Sequence, residues 1–160
     1  MRRLSRFPCR TASRRDDMDY SVVMTAEEVT TYLDEVFPAW SSGGLGIKSI
    51  TPGWAEVTQE AGKNNLRPGG TVNGPTLFTL ADFAAYAVIL GHVGQQALAV
   101  TTNLSINFLR KAPPGAVVGH CRLLKLGKRL AVTDCDITSV ETGELIAQAH
   151  ATYSLPPTKA

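Results

Sequence analysis

The chain of 160 residues is long enough for one domain with a sizeable core, and its 44% hydrophobic and 19% charged residues exclude a disordered chain. The net charge of +2 is unevenly spread, because residues 1–17 hold six arginines and two aspartates, which leaves the rest of the chain at −2. A basic face on the domain is therefore disfavoured, and with it a nucleic-acid partner.

The first residues are rich in arginine and contain no acidic residue before Asp16. This composition is typical of a mitochondrial transit peptide or of an arm that binds polyanions, and it lacks the apolar core of a secretory signal. Because chain termini are commonly poorly ordered, we interpret residues 1–20 as a disordered basic extension and residues 21–160 as one domain. Three widely spaced cysteines without a CxxC pair favour a reducing, cytoplasmic location.

The domain begins with a short amphipathic helix. Thr25, followed by two glutamates, predicts the helix start, and apolar residues recur at helical spacing until Pro38. Residues 44–60 predict two short strands around the turn pair Pro52-Gly53. The polar, glycine-rich segment 61–74 predicts a loop.

The stretch from Gly69 to Gly91 predicts one long apolar helix with a glycine-rich start. Between Pro75 and Leu90 every side chain is apolar, aromatic or a threonine except Asp82, so the segment should be wrapped by protein. At about 16 residues with one charge it is shorter than a membrane span, and we expect no membrane partner. A desolvated carboxylate is costly in a structural role and useful in catalysis, which makes Asp82 the leading functional candidate.

Beyond this helix the pattern changes to alternation. Within residues 98–109, the apolar side chains of Leu98, Val100, Leu104, Ile106 and Phe108 share one face. Thr101 is predicted on the other face. Three further strands are predicted at residues 117–126, 130–139 and 145–155. The connections are too short for crossover helices, which predicts an antiparallel meander and an α+β architecture with one helix in the curve of the sheet.

Three segments carry a family resemblance: NGPTLFTLAD at 73–82, TTNLSINFLRKAPPG at 101–115 and GKRLAV at 127–132. Together they resemble the hotdog-fold acyl-CoA thioesterases of the phenylacetate-pathway (PaaI-like) type, whose segment is HGG-x-L-x-x-LAD. The resemblance implies a hotdog fold, in which an antiparallel sheet wraps around one long central helix. It also implies hydrolysis of acyl-CoA thioesters without a metal or other cofactor. Active sites are expected at a homodimer interface, with dimers commonly paired into a homotetramer.

The resemblance assigns two central roles. Asp82 aligns with the acidic nucleophile or general base, and Gly74 aligns with the glycine whose backbone N–H polarises the thioester carbonyl. Physical chemistry supports both, because amides at a helix start lack intrahelical partners and because burial makes a carboxylate more basic. Thr101 occupies the place of a hydroxyl that holds the nucleophilic water in some relatives, or it is simply a β-branched strand residue.

Three positions depart from the family pattern. Asn73 replaces a histidine; it is a candidate catalytic residue, but we expect it chiefly to cap the helix. Pro75 replaces the second glycine and fits the first turn of a helix. Arg67 occupies the position of a water-orienting asparagine in some relatives, and Asn64 or Asn65 is the alternative for that role.

Cations are needed where coenzyme A places its phosphates. The basic pairs Arg110 with Lys111 and Lys128 with Arg129 match family positions, and Arg67 joins them as a candidate substrate-binding residue. The alternative role of these pairs is solubility at loop ends. No nucleotide-binding signature is present in the sequence.

Two other functions are alternatives on the same fold. An acyl-CoA-binding regulatory module would keep the pocket without turnover, and the presence of Asp82 weighs against it. A dehydratase or hydratase relies on a histidine paired with an acid near the helix, and none of His92, His120 and His150 falls there. These histidines lack metal-ligand spacing, and His92 is expected to cap the last carbonyls of the helix.

Overall fold

A computed structural model describes residues 20–157 of the chain. The predicted basic extension therefore lies outside the described residues, apart from Tyr20, and the domain boundary stays a prediction. Within the described range the α-helices are α1 (Ala26–Val36) and α2 (Gly74–Val93). The strands are β1 (Leu45–Thr51), β2 (Trp54–Ala61), β3 (Leu66–Arg67), β4 (Thr71–Val72), β5 (Val100–Phe108), β6 (Gly115–Leu126), β7 (Leu130–Ser139) and β8 (Leu145–Ser154).

Six strands form one antiparallel sheet in the order β1-β2-β6-β7-β8-β5, while β3 and β4 form a separate small hairpin. The predicted meander is confirmed for the last three strands, since each pairs with the next. β5 departs from it, because β5 pairs with β8 instead of β6 and forms an edge of the sheet. Val100 at the start of β5 thus lies opposite Ser154 at the end of β8.

α2 packs against the inner face of this sheet, and the predicted α+β architecture is confirmed. By length and composition the helix could cross a bilayer, but 72% of its most apolar stretch is buried inside the protein, as in a core helix. It has 20 residues, so the expectation of a shorter helix is wrong, whereas its wrapping by protein is confirmed. It ends before Gly94, whose φ of 84° favours glycine.

The last turn of α2 continues past the glycine where the sequence predicts a stop. Gly91 lies inside the helix, where it packs closely against β1. A Cβ at this position would lie 2.6 Å from the Ile50 side chain, which explains why the residue is glycine. His92 is buried within the helix instead of capping its last carbonyls, which corrects that prediction. Its Nε2 accepts the N–H of Gly53 at 2.9 Å, so its Nδ1 must donate to the Val88 carbonyl at 2.7 Å.

α1 begins with a reciprocal cap. Glu28 N–H donates to the Thr25 hydroxyl at 3.2 Å, and the Thr25 N–H donates to the Glu28 carboxylate at 2.7 Å. Val29 and Leu33 are fully buried on its inner face, which confirms the predicted amphipathic helix. Phe37 follows the helix and remains 49% exposed beside α2.

The segment 61–74 contains a hairpin where the sequence predicts only a loop. Gly69 and Gly70 form its turn with φ values of 97° and 76°. The N–H of Val72 donates to the Ala112 carbonyl at 2.9 Å, which ties the hairpin to the chain after β5. This tie holds the start of α2 in a defined place.

Candidate active site

The start of α2 presents one unoccupied backbone amide. The predicted cap is observed, since the Asn73 side-chain oxygen accepts the Thr76 N–H at 2.9 Å. Pro75 has no N–H to offer. Within residues 20–157, no group accepts the N–H of Gly74. This amide, at the positive end of the helix dipole, is suited to bind an oxyanion.

Gly74 lies in a cleft of about 540 Å³. A Cβ at this position would lie 3.2 Å from the ring of Phe108, so the glycine keeps the amide approachable. The cleft also contains three of the predicted substrate-binding cations: Arg67, Arg110 and Lys111. Arg110 is partly engaged, because its guanidinium donates to the Leu145 carbonyl at 3.1 Å and lies 3.7 Å from Glu144.

The other predicted cations lie elsewhere. Lys128 and Arg129 are exposed in the turn between β6 and β7. The N–H of Leu155 donates to the Arg129 carbonyl at 2.9 Å, which places this turn beside the end of β8. One protomer therefore does not bring the two groups of cations together.

Asp82 lies two helical turns beyond Gly74, about 12 Å along the axis at the usual rise per residue. Its Oδ1 accepts two short hydrogen bonds, from the Thr101 hydroxyl at 2.7 Å and from the Tyr153 hydroxyl at 2.7 Å. The Tyr153 hydroxyl also lies 2.9 Å from the main-chain carbonyl of Asp82. In the part of the chain that the structure describes, no group donates to Oδ2. One carboxylate oxygen is held, and the other is left for a ligand.

Thr101 reaches this carboxylate because β5 contains a bulge. Its pairing with β8 shifts register between Thr101 and Asn103, which leaves Thr102 as the extra residue. An extra residue reverses the alternation, so Thr101 occupies the inward position in line with Leu104. The prediction that Thr101 lies on the face opposite the apolar residues is wrong. Val100, predicted on the same face as Leu104, is 57% exposed.

Sequence reasoning missed Tyr153. This residue of β8 is 3% exposed and lies opposite Thr101 across the β5–β8 pairing, so that both hydroxyls meet the same oxygen. Burial, followed by the negative charge of Asp82, raises the pKa of the Tyr153 hydroxyl well above its usual value, and the group stays a donor. The sequence offers one signal, a hydroxyl-bearing aromatic at an inward position after the small residues Ala149 and Ala151.

Two clefts open beside Asp82. One of about 410 Å³ extends toward the start of β5, and one of about 330 Å³ extends toward Trp40. Trp40 stacks on Phe83 with ring centroids 5.0 Å apart and planes at 4°, and Tyr86 stacks near Tyr153 at 6.2 Å. An aromatic lining around a single carboxylate suits an apolar group that reacts at one polar end.

Asn65, one of the alternative residues for orienting water, already has hydrogen-bond partners within the protein. Asn65 Nδ2 donates to the Thr76 hydroxyl at 3.0 Å, and its Oδ1 accepts the Gly62 N–H at 3.0 Å. Asn65 therefore supports the start of α2. Asn64 lies beside Asn65 in the same short turn, at residues 63–65. Arg67 lines the cleft that contains Gly74.

Comparison with known proteins identifies the family of this chain. The family model described as the thioesterase superfamily matches residues 69–146. Human acyl-coenzyme A thioesterase 13 is 30% identical over 115 residues, which cover 71% of this chain and 81% of that protein. The chain belongs to the thioesterase superfamily.

Solved structures agree with this membership. A protein from Silicibacter sp. TM1040, assigned as a thioesterase, is 41% identical with a TM-score of 0.79, covering 87% of this chain and 96% of that one. A mutant of the phenylacetic acid degradation protein PaaI from Thermus thermophilus is 25% identical with a TM-score of 0.64, covering 73% of this chain and 97% of that one. The predicted hotdog fold and the resemblance to PaaI-like thioesterases are confirmed, and the protein is a thioester hydrolase.

The histidines of this thioesterase lie away from the candidate base. His92 is buried and fully hydrogen-bonded at the far end of α2. His120 lies 3.2 Å from Glu56, and His150 lies 3.4 Å from Asp134, both on strands of the sheet. Across residues 20–157, no group of three or more His, Cys, Asp or Glu side chains is arranged to hold a metal ion.

Proposed function

We propose that this thioesterase hydrolyses acyl-CoA thioesters to a free acid and coenzyme A, with Asp82 as the general base or nucleophile. The observation that carries the proposal is the environment of Asp82. Its carboxylate lies within an apolar helix, is held by two hydroxyl donors and opens onto two aromatic clefts. The name of its human relative, an acyl-coenzyme A thioesterase, supports the same substrate class.

The free oxygen of Asp82 can act in two ways. As a base it takes a proton from water while the water oxygen attacks the thioester carbon. The carbon–sulfur bond then breaks, and the proton passes from Asp82 to the sulfur, which leaves as the thiol. As a nucleophile it attacks that carbon itself and forms an anhydride, while the carbon–sulfur bond breaks and coenzyme A leaves as a thiolate. Water then hydrolyses the anhydride to the free acid and the Asp82 carboxylate, and the proton released passes to the thiolate. Negative charge develops on the carbonyl oxygen in both cases, and a backbone N–H directed at it stabilises the transition state.

The Gly74 amide is the proposed oxyanion donor, but it lies too far from Asp82 in one protomer. The edge strand β5 offers the solution, because within residues 20–157 no strand pairs with its outer side and because it exposes apolar residues. Val100 at its start is 57% exposed and Phe108 at its end is 55% exposed. A partner subunit whose β5 pairs antiparallel across a twofold axis would cover this edge. The Thr101 end of one strand would then lie beside the Phe108 end of the other.

This dimer would complete the site from two subunits. Asp82 and Thr101 of one subunit would lie near Gly74 of the partner subunit, since Phe108 contacts the position of Gly74. The cations would also converge, with Lys128 and Arg129 of one subunit near the partner's Arg110, where coenzyme A phosphates need them. The acyl group would enter the aromatic cleft beside Asp82. A pairing of dimers into tetramers, a cytoplasmic location and the lack of a cofactor stay predictions from the sequence.

The proposal is tested by release of free thiol from short, medium and aryl acyl-CoAs. We expect turnover by the wild type and a loss of about 100-fold or more in Asp82→Asn, because general base catalysis contributes at least that factor. Asp136→Asn, which removes an exposed carboxylate of β7, is the matched control and should keep full activity. Hydrolysis that survives Asp82→Asn would overturn the role of Asp82. Tight acyl-CoA binding by the wild type without turnover would favour a regulatory module.

A further inference from the structure

Tyr153 is a buried hydroxyl in direct contact with Asp82, and the proposed reaction gives it no task. It belongs to β8, whereas Thr101 belongs to β5, and the antiparallel pairing sets the two side chains opposite one another. Both hydroxyls donate to Oδ1 of Asp82 at 2.7 Å. Two strands thus direct their donors at one oxygen of a carboxylate on a third element.

We propose that Tyr153 is a positioning residue, which together with Thr101 holds Oδ1 of Asp82 so that Oδ2 is the oxygen that meets water or the thioester. This inference rests on the proposed role of Asp82. Each hydroxyl has a single hydrogen. That of Thr101 is directed to the carboxylate, and the Tyr153 hydroxyl is nearer to Oδ1, at 2.7 Å, than to the main-chain carbonyl, at 2.9 Å. Thr101 therefore acts on the base itself, a different task from holding the nucleophilic water.

The two donors to Asp82 make the pH dependence of the reaction a test of this arrangement. A hydrogen bond that a carboxylate accepts favours its charged form, so a variant without the donor should lose that preference. In this protomer the clefts beside Asp82 contain no other Asp or Glu and no Lys, Arg or His among the described residues. Their titratable side chains besides Asp82 are Tyr86 from α2 and Tyr153 from β8. Both tyrosines have pKa values raised by burial, so neither ionises in the range where a carboxylate does.

The orientation of Tyr153 is itself fixed. Its ring is buried and stacks near Tyr86 at 6.2 Å, with the planes at 15°. Its hydroxyl is also within 2.9 Å of the main-chain carbonyl of Asp82, so it contacts the helix at two points of one residue. A rigid donor of this kind restricts the side-chain rotation of the carboxylate.

The test compares kcat/KM against pH, which reports the essential base of the free enzyme, in variants that each remove one donor. In Tyr153→Phe and in Thr101→Val, we expect the midpoint of the acid limb to rise by about one pH unit, since each loses a bond to the charged form. We also expect kcat to fall about 10-fold with little change in KM. Thr101→Ser should restore the wild-type profile. Tyr32→Phe removes a tyrosyl hydroxyl that contacts the Ala97 N–H instead of Asp82, and it should leave the profile unchanged.

The outcomes separate this inference from the function on which it rests. Activity retained by Asp82→Asn would overturn the proposed function. The inference alone would be overturned if Asp82→Asn is inactive while Tyr153→Phe and Thr101→Val keep the wild-type kcat and the wild-type midpoint of the acid limb. A lower kcat with an unmoved midpoint would indicate a merely structural role and would also contradict it. Tyr153→Phe removes only the hydroxyl oxygen and keeps the buried ring, so the variant is expected to fold, and it decides the role of Tyr153, whereas Thr101→Val tests the second donor separately.

Discussion

The hydroxyl of Thr101 donates to Oδ1 of Asp82 at 2.7 Å, although simple alternation along β5 would direct Thr102 toward α2 instead. We therefore expect opposite results from two neighbouring substitutions. Thr101→Val should lower kcat about 10-fold, as befits a lost bond to a charged group, whereas Thr102→Val should keep wild-type activity. Steady-state thiol release measures both. A loss confined to Thr102→Val would show that the strand has no bulge at this point.

Gly74→Ala tests the crowded start of α2. The added Cβ would lie 3.2 Å from the Phe108 ring and would obstruct the free amide, so we expect kcat/KM to fall about 100-fold. Gly62→Ala is the matched control, because its Cβ would meet nothing within 4 Å and its φ of −85° suits alanine. Wild-type activity in Gly74→Ala would remove this amide from the mechanism.

Trp40→Ala tests the wall of the aromatic cleft. Trp40 is buried, stacks on Phe83 and donates from its indole N–H to Asp34 at 2.8 Å. Its removal should shift the preferred acyl chain to greater length, and it should lower the free energy of unfolding by about 3 to 5 kcal/mol. Acyl-CoA panels and urea unfolding measure the two effects. Trp54→Ala is the control, because Trp54 is an exposed residue of β2 and its removal should leave the acyl preference unchanged. An unaltered acyl preference in Trp40→Ala would place the acyl group elsewhere.

His92→Leu separates stability from catalysis. The substitution leaves the buried Gly53 N–H without an acceptor, so we expect the free energy of unfolding to fall by about 1 to 3 kcal/mol. The kcat per folded molecule should stay at the wild-type value, because the imidazole lies far from Asp82. A collapse of kcat in the folded variant would instead favour histidine-dependent chemistry of the dehydratase kind.

Local patterns predicted most of the fold. Residues 130–139 form β7 as predicted, and β6 and β8 differ from their predictions by one or two residues at one end. Alternation and turn pairs are properties of neighbouring residues, so they can be detected in one sequence. Asp82 was found for a similar reason, since a lone carboxylate in an apolar helix is visible without any tertiary information.

Features that depend on distant partners were missed. The inward position of Thr101 depends on a bulge that appears only in the pairing of β5 with β8, and the same pairing makes Tyr153 its neighbour. The sequence predicts a helix end at Gly91 because glycine commonly has that role, but here the glycine permits the close approach of Ile50. The helix continues through His92, whose buried ring accepts a hydrogen bond from the N–H of Gly53. Gly53 lies in the turn between β1 and β2, so this contact depends on the tertiary fold.

The central claim is that Asp82 of one subunit and Gly74 of its partner form one active site. It is tested most directly by joining two inactive variants, Asp82→Asn and Gly74→Ala, in a heterodimer purified with two different tags. A shared site predicts one intact site per heterodimer and roughly half the wild-type kcat per dimer, although each parent is nearly inactive. A heterodimer no more active than its parents would contradict the claim, because each subunit would then have to supply both groups itself.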